Sequence, residues 1–185
     1  MKAHDAGGFT LIELLIVVAI IGIIASIAVP GLLRARMSGN EASTIGSLRS
    51  INSGEATYSS SCAFGGYAQQ LEDLVLSPAN STAGFVSPDM KSTGVIKSGY
   101  IVTLAAGFIT TPVITLAAQT CNGSVKDAIP TYFAEAHPVS AGASGVRSFA
   151  TDQRGTIFQD NTGTSPTMTT ASIVTPLPAT TTPIQ

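Results

Sequence analysis

The hydrophobic and polar positions divide the chain into a long apolar segment, an amphipathic segment and a mixed remainder. Twenty uncharged residues lie between Glu13 and Arg34, and positions 14–29 contain eleven Leu, Ile and Val residues. A helix of that length measures about 30 Å, which is the thickness of the hydrocarbon core of a bilayer. Residues 9–33 are therefore predicted to form a membrane-spanning helix.

The pattern becomes amphipathic after this segment, over residues 34–60. Ile45, Leu48 and Ile51 recur at a spacing of three residues, while Glu41 and Arg49 are polar. Such a pattern is typical of a helix that lays one face on a core. We therefore expect the first helix to continue and to pack against a globular head formed by residues 61–160.

The head is predicted to combine a short helix with a small sheet. Residues 69–74 favour one or two helical turns that end before Pro78. β-Branched and aromatic residues predict strands that flank turn signals, including the hairpin-like turn at 152–155. The predicted strands are residues 100–104, 112–116, 131–136, 146–150 and 156–158. Three or four antiparallel strands behind a long N-terminal helix give an α+β fold.

The C-terminal residues 161–185 differ in composition from the head. No charge occurs among them, and residues 160–185 contain nine Thr, two Ser and four Pro. Such a composition buries little apolar surface. The segment is predicted to be a flexible or extended tail, and acceptance of O-glycans by its hydroxyls is left open.

The charge and length of the chain limit the classes of protein to which it can belong. The chain has 185 residues and a formal net charge of −2, and 11% of its residues are charged. The mean hydropathy is +0.36, raised by the apolar segment. One domain with an attached segment fits this length, and a nearly neutral chain offers no global field for holding nucleic acid.

A short motif immediately precedes the apolar helix. Positions 7–13 read GGFTLIE. This stretch resembles the type III signal of type IV pilins and pseudopilins, and the chain looks like a type IVa prepilin. The resemblance implies that a prepilin peptidase removes residues 1–8 as a leader, by cutting between Gly8 and Phe9, and methylates the new amine of Phe9.

Glu13 would be the fifth residue of the processed chain. A carboxylate at bilayer depth is costly, by up to about 2.5–3.5 kcal/mol at the centre. The resemblance implies that Glu13 pairs with the amine of Phe9 in the adjacent copy and so sets the axial register of packed helices. The alternative is that Glu13 extends to the lipid headgroups.

Two residues weaken the helix within the apolar segment. Gly22 disfavours helix by about 1 kcal/mol relative to Ala, and Pro30 removes one backbone hydrogen bond. The resemblance implies that the helix unwinds between them in the assembled filament. The other interpretation is that Pro30 only bends the helix where it leaves the membrane.

Cys62 and Cys121 are the two cysteines of the chain. The resemblance places the head outside the cytoplasm, where disulfides persist. We expect the two residues to form a disulfide that joins the start of the head to the turn at 119–126.

The sequence lacks the common signatures of catalysis. His4 and His137 are the two histidines, and no zinc-spaced cluster, phosphate-binding glycine loop or nucleophile elbow occurs. Asp152 and Asp160 flank a turn, but a solvated turn is favoured over a calcium site. We predict that the protein is not an enzyme and binds no cofactor or metal.

The leading hypothesis is a structural subunit of a type IV pilus-like filament. Its partners would be copies of itself, the prepilin peptidase, the assembly platform and ATPase, and the bacterial inner membrane that holds the precursor. The processed protein would form an extracellular or periplasm-spanning filament. Alternatives are a minor pilin, a secretion pseudopilin, or a DNA-binding or adhesive tip pilin, for which Arg147 and Arg154 are the hint. A plain membrane anchor and a secretory signal cut near Ala28 are further alternatives.

Overall fold

The computed structural model describes residues 8–160, 162, 168–173 and 179–184. The chain divides into two units, Met1–Arg36 and Met37–Gln185, and the second unit is called the head below. A single helix, α1 (Leu11–Ser61), begins in the first unit and continues into the head. The predicted long N-terminal helix is thus confirmed, whereas most of the predicted leader lies outside the described residues.

The head contains a second, short helix, α2 (Leu71–Val75), close to the predicted position. Its six strands are β1 (Val95–Lys97), β2 (Tyr100–Ala106), β3 (Tyr132–Pro138), β4 (Ser148–Asp152), β5 (Ile157–Asp160) and β6 (Thr181–Pro183). Three single turns of 3₁₀ helix accompany them, at Pro88–Met90, Ala117–Gln119 and Thr170–Ile173.

The six strands form one antiparallel sheet in the order of the sequence, from β1 to β6. The longest pairing joins β2 to β3, with Ala106 opposite Tyr132 at one end and Tyr100 opposite Pro138 at the other. Each strand therefore pairs with the strand that follows it in the chain, as is common for antiparallel sheets. The α+β fold class predicted from the sequence is confirmed.

One face of α1 packs on the sheet within the head. The buried positions of the helix recur every three or four residues: Glu41, Thr44, Ser47, Leu48, Ile51, Gly54, Glu55 and Tyr58. Leu48 and Ile51 join Val102, Leu104 and Phe149 of the sheet in the main core. Burying each such aliphatic side chain contributes about 1.5–3 kcal/mol. The predicted packing of the long helix on the sheet is therefore confirmed.

A second, smaller apolar cluster lies on the opposite face of the sheet. Phe133, Ala150 and Phe158 are buried there together with Met168 and Ile173. Successive residues of a strand point to opposite faces, which separates these side chains from the main core. Both faces of the central strands are therefore covered.

The number of strands differs from the prediction, because two three-residue strands were missed. β1 and β2 are joined by the two-residue turn Ser98–Gly99, whose φ angles of 50° and 75° are both positive. Turns of this kind match the twist of a hairpin and stabilise very short strands. Three residues carry too little periodicity to predict a strand, and the part of the chain that the structure describes contains six strands.

The strand predicted at residues 112–116 was wrong. Thr115 makes one isolated bridge to Ala128, and the rest of the segment is irregular. Pro112 has no N–H to donate to a ladder, which disfavours a strand at this position. The segment is part of the long connection between β2 and β3.

The C-terminal segment differs in part from the flexible tail that its composition predicts. β6 pairs with β5, with Asp160 opposite Thr181, and the Ile184 N–H donates to the Ile157 carbonyl at 2.8 Å. Met168 and Ile173 bury their side chains in the second cluster. A few apolar residues and an open strand edge therefore order these described parts, although Thr and Pro dominate the segment.

Candidate functional site: the N-terminal junction and the apolar helix

The predicted processing junction lies just outside the helix. Gly8, Phe9 and Thr10 are irregular and exposed, and α1 begins at Leu11. The Phe9 side chain is 90% exposed, and a Cβ added at Gly8 would meet nothing within 4 Å. The bond between Gly8 and Phe9 is accessible in this arrangement, although cleavage there stays a prediction.

Thr10 and Glu13 cap the start of α1 reciprocally. The Glu13 Oε2 atom accepts hydrogen bonds from the Thr10 backbone N–H at 2.9 Å and from the Thr10 hydroxyl at 2.7 Å. In return, the Glu13 N–H donates to Thr10 Oγ1 at 3.3 Å. This capping box satisfies N–H groups that a helix start otherwise leaves unpaired. The Thr-x-x-Glu spacing was present in the sequence, but the role of Thr10 was missed.

The capping box leaves one oxygen of Glu13 outside these bonds. The three hydrogen bonds that join Glu13 to Thr10 use Oε2 and the backbone N–H, and none involves Oε1. A carboxylate accepts several hydrogen bonds, so the capped side chain retains acceptor capacity. The local geometry is compatible with a further cationic partner.

The large apolar side chains of the first unit are exposed. The large apolar side chains from Leu11 to Leu33 are each at least half exposed, from 50% for Leu33 to 81% for Leu11. Among the described residues, α1 is the one helix long and apolar enough to cross a membrane, by length and composition. A helix that is hydrophobic all round is stable only when lipid or other helices surround it.

Gly22 and Pro30 do not interrupt the helix in the single chain. α1 continues through both positions, and a Cβ at Gly22 would meet nothing within 4 Å. Pro30 cannot donate a hydrogen bond to the carbonyl one turn earlier, so the helix is weakened locally. Unwinding in an assembled filament concerns a different state and stays a prediction.

The head contains the predicted disulfide. Cys62 and Cys121 are bonded, with their Cα atoms 4.7 Å apart. The Cys121 N–H also donates to the Cys62 carbonyl at 3.3 Å. The bond ties the residue that follows α1 to the connection between β2 and β3, so the pairing proposed from the sequence is confirmed.

The two arginines considered as a DNA-binding hint are ion-paired. Arg147 contacts Glu41, with Nη2 and Oε2 2.7 Å apart, and Arg154 contacts Asp152 at 2.8 Å. Burial opposes ionisation of Glu41, but the N–H of Val146 and the Arg147 guanidinium outweigh it and hold its pKa below the ordinary value. Both cations are therefore engaged within the head, which the sequence could not reveal.

Two fully buried acids were also missed from the sequence. Glu55 and Asp73 are fully buried, although both residue types are usually exposed. Asp73 accepts hydrogen bonds from the N–H groups of Val125, at 2.7 Å, and Lys126, at 3.3 Å. Burial raises the pKa of Glu55 well above its ordinary value, and Asp73 raises it further. No periodicity distinguishes such acids from exposed ones.

A long helix with an unburied apolar half, joined to a disulfide-bonded α+β head, defines a pilin-like protein. The family model described as the prokaryotic N-terminal methylation motif matches residues 4–29. The chain is 58% identical over 38 residues to the type IV wide pilus major component PilA4 of Thermus thermophilus. That match covers 20% of this chain and 29% of the relative.

A second relative matches a larger share of the chain. The chain is 38% identical over 111 residues to the fimbrial protein EcpC of Eikenella corrodens, which covers 53% of this chain and 71% of that protein. The matches thus span less than a third of the first relative and about seven-tenths of the second. No solved structure shows a significant match. The chain belongs to the type IV pilin family.

Proposed function

We propose that this protein is a structural subunit of a type IV pilus-like filament, assembled from the inner membrane through its N-terminal helix. One observation carries the proposal: the large apolar side chains from Leu11 to Leu33 are at least half exposed in the single chain. Such a surface requires either lipid or neighbouring helices. A subunit that passes from bilayer to filament meets both requirements in turn.

The energetics are compatible with a reversible stay in the bilayer. The eleven Leu, Ile and Val residues of positions 14–29 favour insertion by roughly 3–7 kcal/mol in total. Gly22, Ser26 and Pro30 reduce this value. Packing against several neighbouring helices then offsets the loss of lipid contact when an assembly machine extracts the subunit.

Glu13 is proposed to set the register between copies. Its charge would pair with the amine of Phe9 in the next subunit, because an unpaired carboxylate inside a dry bundle of helices is strongly disfavoured. The capping box supports this role, since it holds the side chain close to the helix start. It also supplies a competing explanation, in which Glu13 only caps the helix.

Three variants separate pairing from capping. Glu13→Gln keeps the capping geometry but removes the charge, because Gln serves equally in a capping box. Thr10→Ala removes the cap at a cost of about 1 kcal/mol but keeps the charge. Glu13→Ala removes both. We expect both Glu13 variants to enter the membrane normally and to be lost from sheared filaments, while Thr10→Ala retains most of the filament yield.

The outcome that contradicts pairing is specific. A normal filament yield from Glu13→Gln, together with a reduced yield from Thr10→Ala, would assign Glu13 to capping alone. Membrane fractionation of each variant controls for insertion, and immunoblotting of sheared filaments measures incorporation.

Processing is tested at the junction itself. N-terminal sequencing and mass spectrometry of the exported protein are expected to find N-methylated Phe9, and Gly8→Leu is expected to leave the precursor uncut in the membrane. An exported chain that begins near Ala28 would instead indicate an ordinary secretory signal and would overturn the proposal.

Further partners follow from the same proposal: the prepilin peptidase, an assembly platform with its ATPase, and other copies of the chain. Abundance in purified filaments distinguishes a major from a minor pilin or a pseudopilin. DNA binding receives no support from Arg147 or Arg154, because each is paired with a carboxylate.

A further inference from the structure

Asn122 and Gly123 form the residue pair at which asparagine deamidates most readily. Asn122 directly precedes Gly123, and glycine has no side chain to hinder attack by its backbone nitrogen. In this reaction, the Gly123 nitrogen forms a bond to the Asn122 Cγ atom and loses its proton, while the Cγ–Nδ2 bond breaks and ammonia leaves. Water then opens the succinimide ring and leaves an aspartate or an isoaspartate. The net change is the hydrolysis of one amide.

Hydrogen bonds hold the Asn122 side chain in the folded head. Its Nδ2 atom donates to the Asp73 carbonyl at 2.7 Å and to the Leu76 carbonyl at 3.3 Å. Its Oδ1 atom accepts a hydrogen bond from the Ser124 hydroxyl at 2.9 Å. A side-chain amide has two N–H donors, which matches the two bonds to carbonyls. The nitrogen that would leave as ammonia is therefore engaged by the backbone at the end of α2.

The backbone around Gly123 is also held in place. The Gly123 N–H donates to the Thr120 carbonyl at 3.3 Å and so closes a tight turn, in which the φ angle of Gly123 is +63°. Two residues later, the Val125 N–H donates to the Asp73 carboxylate at 2.7 Å. The Gly123 nitrogen attacks only after it leaves Thr120 and the Asn122 side chain leaves its own partners. The folded head therefore slows the reaction.

The disulfide lies beside this turn. Cys121 immediately precedes Asn122, and the Asn122 Oδ1 atom lies 3.5 Å from the Cys62 sulfur. The Cys62–Cys121 bond ties the turn to the residue that follows α1. A crosslink of this kind removes conformations in which the two joined segments are apart. A chain without the bond therefore opens the turn more often.

We propose that Asn122 is a deamidation site that the folded, disulfide-bonded head protects and that a chain lacking the Cys62–Cys121 bond exposes. The inference goes beyond the proposed function, since it concerns the single subunit. The product has a carboxylate in place of the amide, and a carboxylate has no N–H to donate to the carbonyls of Asp73 and Leu76. Repulsion between these oxygens opposes closure of the turn. A subunit that forms its disulfide too late is thus altered irreversibly.

The test compares the full chain in detergent in three states: folded and oxidised, treated with a thiol reductant, and unfolded in urea. After incubation in a mildly alkaline buffer, tryptic cleavage at Lys97 and Lys126 releases residues 98–126, in which Asn122 is the single Asn. Mass spectrometry then measures its conversion. We expect conversion about tenfold faster in the reduced chain than in the oxidised chain, and faster still in urea, because one hydrogen bond corresponds to a factor of up to about ten.

Asn52 and Asn80 are internal controls, because each is followed by a serine whose side chain hinders the attack. Both are expected to convert slowly in all three states. Equal rates at Asn122 in the oxidised chain and in the urea-unfolded chain would overturn protection by the fold. Equal rates in the oxidised and reduced chains would overturn the role of the disulfide.

The variant Asn122→Asp reproduces one product of the reaction. Its urea midpoint, followed by tyrosine fluorescence, is expected to be lower than that of the wild type. The matched control Asn80→Asp makes the same change at an exposed position and is expected to keep the wild-type midpoint. An unchanged midpoint for Asn122→Asp would overturn the irreversible damage, and none of these measurements depends on whether filaments form.

Discussion

Replacing Glu55 with Gln tests whether the core of the head holds an uncharged carboxyl group. The Glu55 side chain is fully buried in α1, where Oε2 accepts a hydrogen bond from the Ala68 N–H at 3.0 Å. Oε1 has no partner among the described residues. Burial raises the pKa of Glu55 well above 4.5, and the hydrogen bond from Ala68 opposes this only in part.

The direction of the pH dependence follows from this shift. The folded head keeps a proton on Glu55 that the unfolded chain releases near its ordinary pKa of 4.5. The stability contributed by this group is therefore complete below the unfolded-state pKa and is lost as pH rises towards the folded-state pKa. Over that window the free energy of unfolding falls by about 1.4 kcal/mol per pH unit. Glu55→Gln has no proton to release and lacks this decline.

Urea unfolding of the full chain in detergent, followed by tyrosine fluorescence, measures the effect. The chain has no Trp, and its four tyrosines, Tyr58, Tyr67, Tyr100 and Tyr132, all lie in the head, so the signal reports on this unit. As the pH rises above about 4.5, we expect the wild type to lose stability relative to Glu55→Gln.

Glu72→Gln is a control, because Glu72 is expected to change the free energy of unfolding with pH in the opposite direction. Burial opposes ionisation of Glu72, but its hydrogen bonds, including those from the Thr93 N–H and hydroxyl, hold its pKa below the ordinary value. The stability it contributes is present above the unfolded-state pKa and is lost as pH falls. Parallel pH profiles for the wild type and Glu55→Gln would show that Glu55 is ionised in the folded head and would refute the reasoning.

Two further predictions concern the packing of α1. Gly54→Ala places a Cβ 2.7 Å from Val86 Cγ1 and is expected to lower the free energy of unfolding by about 1–3 kcal/mol. A Cβ at Gly46 would meet nothing within 4 Å, so Gly46→Ala is expected to raise the free energy of unfolding by roughly 0.5–1 kcal/mol in the same urea assay. Arg147→Met leaves the buried carboxylate of Glu41 without its cation and is expected to cost about 1–3 kcal/mol; an unchanged urea midpoint would show that the Arg147–Glu41 pair contributes nothing.

Local sequence patterns were sufficient to predict the main helices and strands of the fold. The apolar run and the spacing of Ile45, Leu48 and Ile51 predicted both halves of α1, because helical periodicity repeats over many residues. The four longer strands were placed to within a few residues. The two three-residue strands were missed, since their stability comes from a tight turn in one case and from an open sheet edge in the other.

In the candidate site, too, some residues could be predicted from the sequence and others could not. The motif around Gly8, Phe9 and Glu13 was readable because its residues are adjacent in sequence and resemble a known signal. The environments of Arg147 and Glu55 could not be predicted, because Arg147 depends on the carboxylate of Glu41, which the fold brings close, and Glu55 depends on its burial in the core. A charged residue in the sequence does not reveal whether the fold places an oppositely charged side chain in contact with it.

The sequence by itself determined that this chain has a long apolar helix headed by a processing motif, a head of mixed structure and a pair of cysteines. These features depend on residue type and on spacing along one segment. Only the tertiary structure decided which cations are paired and which acids are buried. Those properties arise from contacts between residues far apart in the chain, and the energy of each contact is set by burial and distance, which no local pattern records.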